Sequence, residues 1–211
     1  MARPVHADAE ATRGRILASA RGLFAGEGLD GASVRDVAAG AGVSLAMVHH
    51  YFGSKDDLYE ACIDTVYTEL GAMGAALEGE LASTGSPAEL IERAVVTGYR
   101  FARAHQVAVR LLLRMSVAAG KLPPRGRKSL VAFLDFASRG LGALADRRPA
   151  DLRLPLQSVV FLVARYSVQG DEELGVVAGS AGRAAHARVE RHLVDVACRL
   201  ILGTPGPHSP S

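Results

Sequence analysis

The sequence predicts an all-α protein with two helical domains. Apolar residues recur at helical spacing along almost the whole chain, and no stretch shows convincing alternation with a period of two. Serine, proline and glycine mark the ends of the predicted helices. With 211 residues, of which 49% are apolar and 22% charged, the composition is that of a globular protein with ample material for a core. We expect a small domain over 1–55, a larger one over 56–203 and a disordered tail over 204–211.

The first half of the chain begins with one long helix, two short helices and another long helix. The first helix has an apolar stripe through Phe24 and stops near Gly26 and Gly28. Three serines then mark the next three starts. These are Ser33 with Asp36 in a capping box, Ser44 after the turn at Gly42, and Ser54 with Asp57 in a second box. The stripe after Ser54 runs for more than five turns.

The second half continues as a series of helices. Ser86, Pro87 and Glu89 give an unusually complete start signal. Helical patterns follow at about 87–104, 106–119, 124–145, 152–169 and 181–202. Glycine and proline interrupt the pattern at 120–126 and 170–180, where Glu172 and Glu173 are expected in a solvated loop.

Several classes of protein are disfavoured. Cys62 and Cys198 lie far apart without metal-type spacing, which fits a reducing cytosol better than a disulfide framework. No apolar run approaches the roughly 18 to 20 residues of a membrane span, and the N-terminus has no apolar signal core. We therefore expect a cytoplasmic protein without a membrane partner. No catalytic or metal-binding constellation is recognisable, so we expect no enzyme activity, no metal and no cofactor.

The two short helices and their glycine-containing turn have the architecture of a helix-turn-helix, in which the second helix enters the major groove of DNA. Ala38 and Gly42 are small where the two helices approach each other. The helix N-termini carry free backbone N–H groups that suit phosphate oxygens. Tyr51 and Lys55 flank the gap before the next long helix, so both could contact one DNA strand.

The segment "ATRGRILASARGLFAGEGLDGASVRDVAAGAGVSLAMVHHYFGSKDDLYEA" resembles the DNA-binding domain of the tetracycline-repressor (TetR) family of bacterial transcription regulators. The resemblance covers about residues 11–61, and the rest of the chain matches the family only in length and helical character. It implies a homodimer, a double-stranded DNA operator with two-fold symmetry, and release from DNA when a small ligand binds the C-terminal domain.

The resemblance also implies which residues contact DNA. Ser33 and Arg35 correspond to contacts from the first short helix, Tyr51 and Lys55 to phosphate contacts. The recognition helix starts at Ser44, and its groove face holds Leu45, Ala46, Met47 and His49. The family often has Lys-Gly-Thr and then Tyr at these last four positions. We therefore expect apolar contact with thymine methyls, His49, Arg35 and DNA shape to provide the specificity.

The charge of this region is unusual for a DNA reader. Residues 1–58 contain six Arg or Lys and seven Asp or Glu, a net charge of −1. Binding must then depend on a few well-placed cations and backbone amides.

For the C-terminal domain, the sequence suggests an apolar effector site and a dimer interface. Candidate ligand contacts are Tyr99, Arg114, Met115, Phe133, Phe136, Tyr166 and Gln169, with Arg110 as a further orienting group. The alternative is that these apolar side chains simply fill a core. The segment 156–168 and a late helix containing Leu193 and Leu200 are expected to form a two-fold four-helix interface, unless both belong to the monomer core.

These observations predict a ligand-responsive DNA-binding transcriptional regulator, a repressor released from a palindromic operator by a small apolar effector. The alternative is a helical homodimeric interaction module, or a small-molecule-binding module, without DNA binding.

Overall fold

The computed structural model describes residues 5–118 and 124–204, and the regular secondary structure of this part of the chain is entirely α-helical. The helices are α1 (Val5–Gly31), α2 (Val34–Ala41), α3 (Leu45–Phe52), α4 (Lys55–Ala82), α5 (Pro87–Ala104), α6 (Gln106–Ala118), α7 (Pro124–Ala145), α8 (Pro149–Ser167), α9 (Asp171–Ala178) and α10 (Gly182–Leu202). The all-α prediction is confirmed. The predicted tail falls, from residue 205 onward, outside the described residues.

The described residues form two compact units. The first unit runs through Glu69 and also includes the part of α6 that begins at Arg110. The second unit contains Leu70–Val109 and the described residues after α6. The division therefore falls within α4 and within α6, whereas the sequence places a domain boundary at residue 55, where α4 begins. The sequence boundary is the residue at which α4 begins, whereas the two units are defined by which residues pack together. Because these are different criteria, the predicted boundary stays a prediction.

The core of the first unit forms where α1 packs against its neighbours. Ile16, Ala20 and Phe24 of α1 are at most 1% exposed. Leu58 and Val66 of α4 are completely buried. The backbone leaves the helical conformation at Gly28, with φ 81° and ψ 177°, near the predicted stop.

The second unit has one continuous apolar core. Tyr99 of α5, Leu152 of α8, Leu174 of α9 and Leu193 of α10 are each at most 1% exposed, and Leu141 of α7 joins them. Helix α5 begins where the sequence predicts, with a reciprocal capping box. The Ser86 N–H donates to Glu89 Oε2 at 2.8 Å, and the Glu89 N–H donates to Ser86 Oγ at 3.4 Å.

The region 170–180 differs from its prediction. Glu172 and Glu173 lie in the first turn of α9 rather than in a loop, although both are exposed as expected. Acidic side chains in the first turn stabilise the positive end of the helix dipole, and the burial of Leu174 fixes this short helix on the core. Helix α8 also begins one turn earlier than predicted, at Pro149. Within the described residues, no helix is both long and apolar enough to cross a membrane.

Candidate nucleic-acid interface

The turn between α2 and α3 is held by backbone and serine contacts. Ser33 Oγ accepts a hydrogen bond from the Asp36 N–H at 3.1 Å, and Ser44 Oγ accepts one from the Met47 N–H at 3.2 Å. Gly42 ends α2 at φ 65°, a left-handed conformation that glycine adopts without the steric cost of a Cβ. The Val43 N–H donates to Ala38 O at 3.0 Å. These contacts confirm the two predicted N-caps and fix the short turn.

Helix α3 buries one residue and exposes most of the others. Val48 is 2% exposed, whereas Leu45 is 36% and Met47 38% exposed. Ala46 and His49 are exposed as well. Helix α3 therefore exposes large apolar side chains to water on its outer face, and this face is available for contact with a partner.

Arg35, the second residue of α2, and the two capping serines place polar groups at the starts of the short helices. Arg35 is exposed on α2. Ser33 and Ser44 accept hydrogen bonds from the main chain, which leaves each hydroxyl hydrogen available for donation. The helix starts at Ser33 and Ser44 can therefore present both N–H and O–H donors to an anion.

The N-terminus of α4 is different, because an acid occupies it. Both the N–H and the hydroxyl of Ser54 donate to Asp57 Oδ2, at 3.1 and 2.6 Å. These hydrogen bonds lower the pKa of Asp57 below its usual value, and the hydrogen bond from the hydroxyl has the larger effect. Of the helix starts at Ser33, Ser44 and Ser54, this one is the least suited to a phosphate.

The two predicted phosphate contacts, Tyr51 and Lys55, are half-buried. The Tyr51 ring lies edge-on to His50, with 5.6 Å between the ring centroids. Lys55 Nζ donates to Asp30 O at 3.5 Å, so its ammonium lies beside the end of α1. The structure places both residues at the junction of α3 and α4; their contact with DNA stays a prediction.

The His49 ring has a hydrogen-bonding partner in the main chain of Gly53. Its Nδ1 lies 2.7 Å from Gly53 O, the carbonyl that follows the end of α3. The Gly53 N–H in turn donates to His49 O at 2.8 Å. Gly53 therefore holds both the backbone and the ring of His49.

Two arginines of α1 escaped the sequence interpretation. The Arg13 guanidinium lies 5.1 Å from the centroid of the Phe52 ring, an arrangement suited to a cation–π interaction. Arg15 Nε donates to Ala41 O at 3.3 Å. Both side chains are exposed, so they bring positive charge to α2 and α3. The stretch "TRGR" contained the signal, although no sequence rule places it against α3.

The candidate ligand residues divide between the two units. Arg114 and Met115 belong to the first unit, where Arg114 Nη1 donates to Gly26 O at 2.8 Å. The other five belong to the second unit and are Tyr99, Phe133, Phe136, Tyr166 and Gln169. Tyr99 is buried in the core, and its hydroxyl lies 3.1 Å from His186 Nδ1. The ligand role of all seven residues stays a prediction.

Two of these five residues have polar groups that matter for recognition. Gln169 is 5% exposed, and its Oε1 has no hydrogen-bonding partner among the described residues. The Tyr166 ring lies edge-on to His192, with centroids 6.0 Å apart. A buried amide oxygen without a partner is costly, which makes Gln169 the best-supported orienting group of the set.

The candidate dimer residues are partly core. Leu193 is 1% exposed and packs inside the second unit, so it is not available to a partner subunit in this conformation. Leu200 of α10 is 38% exposed and Phe161 of α8 is 46% exposed. The outer faces of the two helices, rather than their inner faces, are thus the surfaces that could pair.

Comparison with known proteins agrees with this geometry. The family model described as "Bacterial regulatory proteins, tetR family" matches residues 16–62, which include α2, α3 and the start of α4. The chain is 38% identical over 80 residues to the HTH-type transcriptional repressor Rv3405c of Mycobacterium tuberculosis. That alignment covers 38% of each protein, so the chain spans about two fifths of the length of the curated relatives it matches.

Solved structures share the fold over nearly the whole chain. A TetR-like transcriptional regulator from Rhodococcus sp. RHA1 has a TM-score of 0.66 and 23% identity, covering 97% of this chain and all of that one. The ketosteroid transcriptional regulator KstR2 of Mycobacterium tuberculosis has a TM-score of 0.61 and 19% identity, covering 88% and 92%. The matched relatives are named as transcriptional regulators.

Proposed function

We propose that this chain, which belongs to the TetR family of bacterial regulatory proteins, is a ligand-responsive repressor that binds a palindromic operator as a homodimer. The observation that carries the proposal is the outer face of α3. Leu45 and Met47 remain more than a third exposed there, while Val48 anchors the helix from below. A protein that acts on DNA in a bacterium works in the cytoplasm.

The DNA contacts follow from the positions of the side chains. We assign the base-reading surface to Leu45, Ala46, Met47 and His49, with Arg35 beside it on α2. We assign phosphate contacts to the hydroxyls of Ser33 and Ser44, to Tyr51 and to Lys55. The two arginines at the outer side of α1, Arg13 and Arg15, are additional candidates, since their positive charge offsets the acids at the helix starts.

The most direct test is nuclease protection of the DNA upstream of the protein's own gene. Wild-type protein should protect two half-sites centred about 34 to 36 Å apart, because paired recognition helices must lie one turn of DNA apart. Arg35→Ala should weaken protection, whereas the matched control Arg139→Ala, also exposed but on α7, should not. No protection of this or any other DNA at low salt would favour the alternative, a helical interaction or small-molecule-binding module without DNA binding.

We assign dimerisation to the outer faces of α8 and α10. A symmetric dimer requires the same exposed patch on both copies, and Phe161 and Leu200 offer large apolar side chains of this kind. Phe161→Glu together with Leu200→Glu should yield folded monomers with weak operator affinity in sedimentation experiments. A wild-type protein that sediments as a stable monomer at micromolar concentration would contradict the assignment.

We assign the effector to the second unit and expect a small apolar molecule. The side chains of Phe133, Phe136 and Tyr166 are only partly buried against the core, and the amide oxygen of Gln169 has no hydrogen-bonding partner in the described part of the chain. Because α4 contributes residues to both units, a ligand-induced shift of α4 would reach Lys55 at its start.

The effector proposal has a quantitative consequence. Ligand should weaken operator binding, and operator should weaken ligand binding by the same factor, typically about 5- to 150-fold. A screen of apolar compounds should find molecules that raise the melting temperature and release DNA. Tyr166→Ala should reduce that response while leaving operator affinity unchanged. If a broad screen finds no compound that raises the melting temperature or releases DNA, the effector proposal has no support.

A further inference from the structure

The contact between His49 and Gly53 fixes which ring nitrogen carries the proton. A carbonyl oxygen can only accept hydrogen bonds, so the 2.7 Å contact with Gly53 O requires an N–H at Nδ1 of His49. In the neutral ring the other nitrogen, Nε2, then holds a lone pair and can only accept. The backbone of the turn thereby selects one of the two tautomers of this side chain.

His49 differs from its neighbours on α3 in what it can offer a base. Leu45, Ala46 and Met47 have no conventional hydrogen-bonding group in their side chains, and Ser44 lies at the cap. His50 is exposed but lies about 100° further round the helix, and its ring packs edge-on against Tyr51. The exposed ring of His49 therefore adds a polar group to an otherwise apolar face.

The base edges of the major groove differ in what they present to an acceptor. Adenine and cytosine expose exocyclic amino groups, which donate, whereas guanine and thymine expose only acceptors and, in thymine, a methyl group. Each base pair contains one base of each kind, so a group that can only accept distinguishes on which strand, and where across the groove, the amino group lies. An unmatched acceptor facing another acceptor is unfavourable, so the discrimination works by rejection as well as by attraction.

We propose that His49 determines operator specificity by accepting, through Nε2, a hydrogen bond from the exocyclic amino group of an adenine or a cytosine in each half-site. The proposal rests on the proposed function, because it requires α3 to lie in the major groove. Gly53 acts as a positioning residue that holds the tautomer and the orientation of the ring.

The first experiment selects duplexes from a library with about 20 random base pairs, enough for two half-sites one helical turn apart. Full-length wild-type protein, His49→Ala and the matched control His50→Ala are compared at about pH 8. We expect one base pair per half-site that wild type and His50→Ala select and that His49→Ala does not. The same motif for all three proteins would overturn the proposal, and the strand that carries the contacted amino group is identified by the base replacements described next.

The second experiment removes the amino group from the selected base. Adenine is replaced by purine, or cytosine by 2-pyrimidinone, in both half-sites. Wild-type affinity should fall by about 3- to 10-fold per half-site, as for the loss of one hydrogen bond, and the affinity of His49→Ala should change much less. The base whose replacement has this effect identifies the source of the amino group. Equal losses for both proteins would show that His49 does not contact it.

A third measurement does not depend on DNA. The ¹⁵N chemical shifts of the His49 ring in the free protein at about pH 8 should show a protonated Nδ1 and an unprotonated Nε2. The opposite tautomer would overturn the inference even if the protein binds DNA. If wild-type protein enriches no duplex from the library, the proposed function fails, and the role of His49 fails with it.

Discussion

Helices α3 and α10 are both rich in apolar residues, and they place them in opposite environments. On α10, Leu193, Ala197 and Ile201 follow each other at four-residue spacing, and all are at most 2% exposed. On α3, Leu45 and Met47 are more than a third exposed. Apolar spacing therefore identifies a helix but not its role, which depends on whether the face is covered by the rest of the chain.

The largest effect is expected on α10. Leu193→Ala should lower the free energy of unfolding by about 2 to 5 kcal/mol, since it leaves a cavity in the core of the second unit. Thermal or urea unfolding measures the loss. The matched control is Leu154→Ala on α8, whose side chain is 79% exposed and whose loss should change stability by less than about 0.5 kcal/mol. Similar losses for both variants would contradict the assignment of α10 as core.

The next effect lies in the first unit but away from α3. Gly28 has φ 81° and ψ 177°, a conformation almost restricted to glycine, and a Cβ there would lie 2.8 Å from Arg114 Nε. Gly28→Ala should therefore cost about 1 to 3 kcal/mol in unfolding experiments.

Gly14 provides the control for this variant, because a Cβ at that position of α1 meets no atom of residues 5–118 and 124–204 within 4 Å. Gly14→Ala should be neutral or stabilising by up to about 1 kcal/mol, as expected for glycine in a helix interior. The double variant Gly28→Ala with Arg114→Ala should recover only part of the loss, because the backbone strain remains. Full recovery would show that the clash with Arg114 alone is responsible.

Much of this architecture could be predicted because its signals are local. Ser86, Pro87 and Glu89 start α5 as predicted, and the bounds of α5 and α7 agree with the sequence. Helix α9 escaped prediction because eight residues with one buried leucine give no periodic pattern, and the burial of Leu174 is a tertiary effect.

For the candidate site, the sequence predicts where the short helices begin but not which side chains contact each other. Ser33 and Ser44 cap the two short helices as the sequence indicates. The contact of His49 with Gly53 O, the position of Arg13 over Phe52 and the burial of Leu193 depend on how side chains meet in three dimensions. Spacing along one helix cannot supply that information.

Substitutions on the outer face of α3 should have a small effect on stability and a large effect on DNA binding. Leu45→Ala with Met47→Ala removes exposed side chains, so unfolding should change by less than about 0.5 kcal/mol per site. Affinity for the enriched operator should fall by about tenfold or more, while affinity for unrelated duplex should stay the same, because phosphate contacts are retained. Titration of both duplexes measures this; equal losses on both would mean that α3 does not read sequence.

The smallest effect concerns the acid at the start of α4. The hydrogen bonds from Ser54 lower the pKa of Asp57, so this carboxylate stabilises the fold above its unfolded pKa of about 3.9, and the contribution is lost as pH falls through the lower folded pKa. Ser54→Ala should raise the pKa of Asp57 toward its ordinary value in an NMR titration. The free energy of unfolding should then decrease less as the pH falls. An unchanged pKa would show that the helix start, rather than Ser54, is responsible.

Amide hydrogen exchange of the wild-type protein, with and without the enriched duplex, tests the central claim most directly. If the outer face of α3 reads DNA, peptides covering residues 33–55 should exchange more slowly in the complex, while the exchange rate of the core segment of α10 around Leu193, which does not contact the DNA, should stay the same. Protection confined to the second unit, or no protection of α2 and α3 under conditions where the duplex is bound, would contradict the account.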